Sequence, residues 1–342
     1  MRATRAAALA VLALTSAAGA GCVSELSTKA RPITGILAFQ QVLDGSSNIY
    51  VYDMAQDAFI ADSTRWDPDF AQAFNPSLSR DGHWVVFMAR ADDGQFMRLW
   101  AWNPSMSRPQ DLTPMLGNHT DLYYEDPKLA PDDRHLVYKL QGAIYIARVK
   151  LGGGIALSGF HRLAKGARNE DTEASAPVVS ADNKFVYFFR GPKTVDQHIE
   201  RVTLDGGFHR TGRTRLFTPQ DTSSYYPALR RNGALTFARH VNKGGGLYGT
   251  DTIYTVPPHT AVKDAVPAPF NLCDQVKGDV ENADAAPVGR DLAIFSSTFA
   301  SPPGTSVYSL FVGDAQGEVW DLRTGRLADL TGWLQGASYA PH

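Results

Sequence analysis

A short pattern that recurs along this chain restricts its fold more than any other feature. It runs Pro76-Ser77-Leu78-Ser79-Arg80-Asp81-Gly82-His83-Trp84-Val85-Val86-Phe87 and returns from Pro127 to Tyr138 and from Pro177 to Phe188. A shorter copy spans Pro227 to Phe237, and a worn one Pro287 to Phe295. Each copy reads as a β-hairpin: a short strand headed by proline, a turn, and an apolar strand closing on an aromatic. The turns Asp81-Gly82, Asp132-Asp133, Asp182-Asn183 and Asn232-Gly233 use residues that tolerate a positive φ. Proline lacks a backbone donor, so the first strand belongs at a sheet edge. The innermost strand around a central channel is such an edge.

A period of about fifty residues, built of strands, is the mark of propeller blades or of a solenoid. The two termini choose between them. Ile36-Leu37-Ala38-Phe39 looks like a second strand, with no proline strand before it, whereas Ala337 to His342 resembles Ser224-Tyr225-Tyr226-Pro227. A ring closed by the C-terminal strand accounts for both ends and removes the edges that a solenoid leaves open. Aromatics closing the second strands (Phe39, Phe87, Tyr138, Phe188, Phe237, Phe295) give the expectation of an all-β, six-bladed β-propeller over residues 32–342. The last repeat is irregular, with either Tyr308–Gly313 or Glu318–Leu322 as its third strand, and a seventh blade is the alternative.

The proline–Ser/Ala–Asp-Gly–apolar pattern, followed downstream by Leu112-Thr113 or Leu330-Thr331, resembles the WD-like repeats of TolB-type β-propellers. The resemblance covers about the whole chain after its first segment. It implies a propeller, and it does not carry over the role of TolB, which has a further α/β domain that this pattern lacks.

Residues 1–21 have the build of a secretory signal: Arg2 and Arg5, an apolar run from Ala6 to Leu14, then small residues. Cys22 follows at once, which resembles the bacterial lipoprotein signal and makes Cys22 a candidate for lipidation, with ordinary cleavage after Ala20 as the competing reading. The chain has only two cysteines, so Cys273 is then a lone thiol, or the two form a disulfide. Residues 22–31 read as a polar tether. These readings predict an exported protein of the periplasm or cell envelope that meets the membrane only through a lipid anchor. A net charge of −2 argues against bulk nucleic-acid binding.

No catalytic motif stands out. There is no Gly-x-Ser-x-Gly elbow, no His-Glu-x-x-His and no Cys-x-x-Cys, and the triple glycines at 152–154 and 244–246 lack the lysine of a phosphate loop. Placement is more informative. The loops from each fourth strand to the next inner strand open on one face and collect carboxylates and tyrosines. The ligand-binding candidates are Tyr124, Glu125, Glu170, Asp171, Glu173, Asp221, Tyr225, Tyr226, Asp284 and Tyr339. Tyrosines beside carboxylates suit a protein, peptide or glycan ligand, and a field of one sign steers cations. If an ion is held, the oxygen-rich Glu170, Asp171 and Glu173 suit calcium, and no other cofactor is expected. The function expected is a non-enzymatic binding module. The alternative is a polysaccharide hydrolase or lyase built on the propeller, with Glu125, Glu170 and Glu173 as its acids.

Overall fold

The computed structural model of the chain describes residues 22–341 except 92–93, 118–120, 192–196, 217–221, 231, 242–250, 259, 275–279, 290 and 303–304. The signal-like segment and Asp221 lie outside the described residues. The strands, in chain order, are β1 (Gly35–Leu43), β2 (Ser46–Asp53), β3 (Ala58–Asp62), β4 (Phe70–Leu78), β5 (Val85–Ala91), β6 (Arg98–Trp102) and β7 (Gln110–Asp111). There follow β8 (Tyr124–Leu129), β9 (His135–Leu140), β10 (Ala143–Leu151), β11 (Ile155–Ala164), β12 (Ala174–Val179), β13 (Phe185–Arg190), β14 (His198–Leu204) and β15 (Arg210–Arg215). The last are β16 (Thr222–Leu229), β17 (Leu235–Val241), β18 (Asp251–Val256), β19 (Val266–Pro267), β20 (Asn282–Val288), β21 (Leu292–Ser297), β22 (Ser309–Asp314), β23 (Val319–Asp321) and β24 (Trp333–Pro341).

The sheets are antiparallel meanders in a β-propeller arrangement. Strands β8–β11, β12–β15, β16–β19 and β20–β23 make four four-stranded sheets. An eight-stranded sheet holds β24-β1-β2-β3 and β4-β5-β6-β7, joined by a single parallel pairing of Ser47 with Gln72. Each four-stranded sheet starts with a proline-bearing strand paired on one side only, as the missing donor requires; in the eight-stranded sheet β24 takes that place beside β1, and β4 pairs fully with β5 and with β2 only at Gln72. The innermost strands β24, β4, β8, β12, β16 and β20 contact one another in succession, and β20 returns to β24. Strand β22 pairs with β21 and β23 with β22, so Tyr308–Gly313 supplies the third strand of its sheet and Glu318–Leu322 the fourth.

The repeated turns follow from their side chains. Ser79 and Ser180 hydroxyls donate to Asp81 and Asp182 and accept the amides of Trp84 and Phe185 at 2.9 and 3.0 Å. Gly82, Asp133, Asn183 and Gly233 adopt φ of 70°, 55°, 57° and 84°, the left-handed conformation expected of them. Between sheets, the Arg80 amide donates to Asp133 at 2.9 Å and Asn183 Nδ2 to Asp132 at 2.9 Å. The core lies between neighbouring sheets, where the six aromatics named above are each at most 1% exposed. Burying such a ring contributes on the order of 1.5–3 kcal/mol.

Two expectations are corrected here. Cys22 and Cys273 form a disulfide. A sulfur bonded to Cys273 has no valence left for a thioether, so lipidation of Cys22 is not compatible with this structure. The segment expected to be a tether is laid on the last four-stranded sheet instead. Val23 bridges Leu272, the Ser27 amide donates to Val319 O at 2.7 Å, and Lys29 pairs with Glu318. Val23 and Leu26 pack on the buried cluster around Phe270 and Phe311.

The disulfide closes a separation of 251 residues, so its loss should be felt. Replacing both cysteines by serine is expected to lower stability by on the order of 2–4 kcal/mol. Urea unfolding with and without reductant checks this: the native chain should lose a similar amount on reduction and the double variant nothing.

Candidate binding channel

Every innermost strand carries a β-bulge at the same place. The register shifts between Phe74 and Ser77, Glu125 and Lys128, Ser175 and Val178, Tyr225 and Ala228, and Ala283 and Ala286. Asn75, Asp126, Ala176, Tyr226 and Asp284 occupy the bulges with φ near 50°, and Gly336 takes the same position in β24 with φ of 63°. A bulge bends the strand and re-aims its side chain. Here the re-aimed residues line the ring of inner strands. Asn75 Nδ2 donates to Asp126 Oδ1 at 2.7 Å, and the Ala176 amide donates to Asp126 Oδ2 at 2.9 Å, so one carboxylate ties three consecutive strands.

The lining is charged. Burial pulls the Lys128 ammonium below its ordinary range, against the opposing charges of Asp126 and Asp284. Burial also pushes the Asp284 carboxyl up to about 6; Lys128 opposes this and Asp251 reinforces it. Lys128 in β8 and Asp284 in β20 are separated by β12 and β16, so their interaction crosses the channel. Tyr226 is 42% exposed. Its hydroxyl is nevertheless held above its usual range by burial and by the charges of Asp284, Asp126 and Asp251. The two facts agree for a ring that faces a confined lumen rather than open solvent.

Around Tyr226 stands an aromatic wall. Tyr225 and Phe189 lie 5.1 and 5.7 Å from it, edge to face, and the Tyr225 hydroxyl bonds Asp251, which also pairs with His240 at 2.8 Å. Tyr308 donates to Glu281 and meets Trp333 at 5.8 Å, and Trp333 is 41% exposed. Farther round, Lys139 lies between Glu125 at 3.1 Å and Glu173. Burial alone would lower the Lys139 ammonium, yet Asp126, Glu125 and Glu173 outweigh it and hold it up.

The structure thus brings together Tyr225, Tyr226 and Asp284 from the expected set, with Glu125 and Glu173 nearby as partners of Lys139. It does not bring the others to the channel. Tyr124 is fully buried and stacks on Tyr138. Glu170 and Asp171 are exposed loop residues. Tyr339 sits at the opposite end of β24, opposite Leu37, with its hydroxyl donating to Thr34 O at 2.5 Å. The bulge shows why: Gly336-Ala337 matches Tyr226-Pro227, four residues before the match that Pro341 suggests. Glu173 is taken up by Lys139 and the Asn169 amide, and among the described residues no group of three or more His, Cys, Asp or Glu is arranged to hold a metal.

Sequence reasoning also missed Lys128, Phe189, Tyr308 and Trp333. One signal was available, since Asn75, Asp126, Ala176 and Tyr226 each immediately precede the repeat proline. Cations near the ends of second strands (Arg90, Lys139, Arg190, Arg239) offset the acidic loops. Among them Arg190 joins Arg213 and His198 around Glu200, whose side chain is 1% exposed. Burial would raise the Glu200 carboxyl, but bonds from His198 and Arg213 and the charge of Arg190 lower it to about 2.

No family model matches the chain, and no curated protein matches it. Solved structures do. The structure of TolB from Acinetobacter baumannii is similar over 90% of this chain and 67% of that one, at 12% identity and a TM-score of 0.58. The chain folds as a TolB-like β-propeller. A putative TolB from Agrobacterium tumefaciens matches 91% of the chain and 100% of its own length, at 16% identity and a TM-score of 0.52. At such identities the TolB likeness concerns the fold, and function must come from the site.

Two outcomes test the electrostatics. Because the Asp284 carboxyl is raised on folding, its ionisation destabilises the fold as pH climbs from its ordinary 3.8 to about 6. Asp284→Asn should therefore gain stability relative to the native chain across that window, with no further change in the difference below pH 3; paired melts against pH check it. The Glu200 carboxylate is depressed, so its contribution is present above pH 4.5 and lost as pH falls toward 2. Glu200→Gln leaves buried cations unpaired and should cost about 3–5 kcal/mol at pH 7 in chemical unfolding.

Proposed function

We propose that this chain is an exported binding module that takes a segment of a protein or peptide ligand into the mouth of its channel. The observation that carries the reading is Tyr226, exposed to the lumen beside Asp284 and backed by Phe189 and Tyr225. Aromatic faces supply contact area at low conformational cost, and the adjoining carboxylates favour a ligand carrying lysine or arginine. A disulfide fits an oxidising compartment, in agreement with the signal-like first residues, so the periplasm or another exported location is proposed. We read the eight-stranded sheet as two blades joined at one pairing, which makes six in all, each facing the channel with one bulged strand.

The test pans a library of unstructured peptides against the native chain and measures the enriched sequences by calorimetry. Tyr226→Ala and Asp284→Asn are each expected to weaken binding by about tenfold or more, the size of losing one well-placed contact. Enriched peptides that bind both variants as tightly as the native chain would move the ligand surface elsewhere.

A further inference from the structure

Away from the channel, on the same face, a cavity of about 390 Å³ opens between the sheets β8–β11 and β12–β15. Its lining is Lys165, Gly166, Ala167, Thr172, Arg190 and Arg213. The loop that forms one wall is fixed by a backbone contact. A Cβ on Gly166 would fall 1.9 Å from Gly142 O, and one on Gly142, at φ of 78°, would meet Ala167 at 2.5 Å. Two glycines therefore let this loop lie directly on the β9–β10 hairpin, and the Ala167 amide donates to Thr172 Oγ1 at 3.2 Å to close it.

Three of the six lining residues are cations, and none is an acid. Glu200 lies behind them with both oxygens already occupied. Arg213 Nε donates to one at 2.8 Å and its Nη2 to the other, while Arg190 Nε lies 3.1 Å from the first. The Arg190 Nη1 donates to the carbonyls of Lys165 and Thr172. Its Nη2 has no hydrogen-bond partner among the described residues but is closed off from solvent, so Arg190 acts on the cavity through its charge rather than as an open donor. With two guanidiniums sharing the single Glu200 carboxylate, this wall keeps an excess of positive charge, and an oxyanion in the cavity is the group that answers it. Arg213 is half exposed at the rim and Lys165 is exposed beside it. Glu170 and Asp171, in the same loop, do not line the cavity.

We infer that this cavity binds a small ligand, about the size of one sugar ring, through a carboxylate or phosphate held by Lys165 and Arg213 in the field of Arg190. The volume lies at the small end of the roughly 300–1,000 Å³ usual for ligand sites, which exceeds what a bare ion needs. The site shares no residue with the channel mouth, so it stands or falls separately from peptide binding.

Calorimetric titration of the full chain with D-glucuronate, inorganic phosphate and D-glucose tests the assignment. Glucuronate or phosphate should bind saturably and glucose should not, and binding should weaken as salt is raised. Lys165→Gln, a surface change that leaves the Glu200 cluster intact, should weaken the anion about tenfold, and Arg213→Gln at least as much, as expected for charge-assisted bonds. Competition between glucuronate and phosphate at equal strength assigns recognition to the oxyanion alone, whereas a preference for glucuronate adds the ring; either supports the site. Absence of saturable binding by both anions, equal binding of glucose, or affinity unchanged in a folded Lys165→Gln variant overturns it.

Discussion

The pairing of Trp333–Pro341 with Gly35–Leu43 is the interaction on which the rest of the structure depends. Each other sheet draws its innermost strand from the residues just before its second strand. The sheet that begins with β1 instead takes its innermost strand from the far end of the sequence. Without it, Leu37 and Phe39 would lose their neighbour, and the lumen would be open along one side. Pairing of this length also removes a backbone edge that would otherwise invite other chains. Its cost is a contact of very large sequence separation, although the entropy of closing such a loop grows only as the logarithm of its length. The Cys22–Cys273 bond and the strap of residues around Val23 and Ser27 reinforce the adjoining sheet, where β20–β23 meets that closure.

Charge in this molecule is arranged by depth as much as by face. The loops carry an excess of carboxylates, which a reading by loops alone turns into a uniformly acidic mouth. The strands beneath them carry Lys139, Arg190 and Arg239, and those cations reach into the same layer. The outcome is a set of local environments. A lumen with Asp126, Lys128 and Asp284 across from one another lies beside a rim where Arg190 and Arg213 share one buried glutamate. Neighbouring parts of one face can therefore prefer ligands of opposite charge.

Much of this fold was legible because the repeat obeys local rules. Pro127, Pro177 and Pro227 announce strands paired on one side, and Asp81-Gly82 and its relatives announce turns with φ above zero, which the backbone shows. The closing aromatics announce the inter-sheet core, and every one of them is buried. The site was less legible for a physical reason. Tyr124 and Tyr225 occupy similar sequence contexts beside acids, yet one is sealed between sheets and the other faces the mouth. Only the position of the bulge separates those outcomes. Tyr339 was misassigned because Pro341 mimics the repeat proline, while Gly336-Ala337 holds the equivalent place without any proline to mark it. The disulfide joins two residues whose proximity depends on where the first segment lies, and no local pattern carries that information.

The bulged residues have a further consequence. Most positions in a strand answer to two neighbours, one across the ladder and one across the sheet interface, and cannot change without repacking. The position held by Asn75, Asp126, Ala176, Tyr226, Asp284 and Gly336 already accommodates an amide, an acid, a methyl group, a phenol and no side chain at all on the same backbone turn. Except at Asp126, whose carboxylate ties three strands, chemistry there is uncoupled from architecture. The interior of the ring behaves like a row of interchangeable sockets, so a lumen of quite different selectivity is reachable by single substitutions while the blades stay as they are.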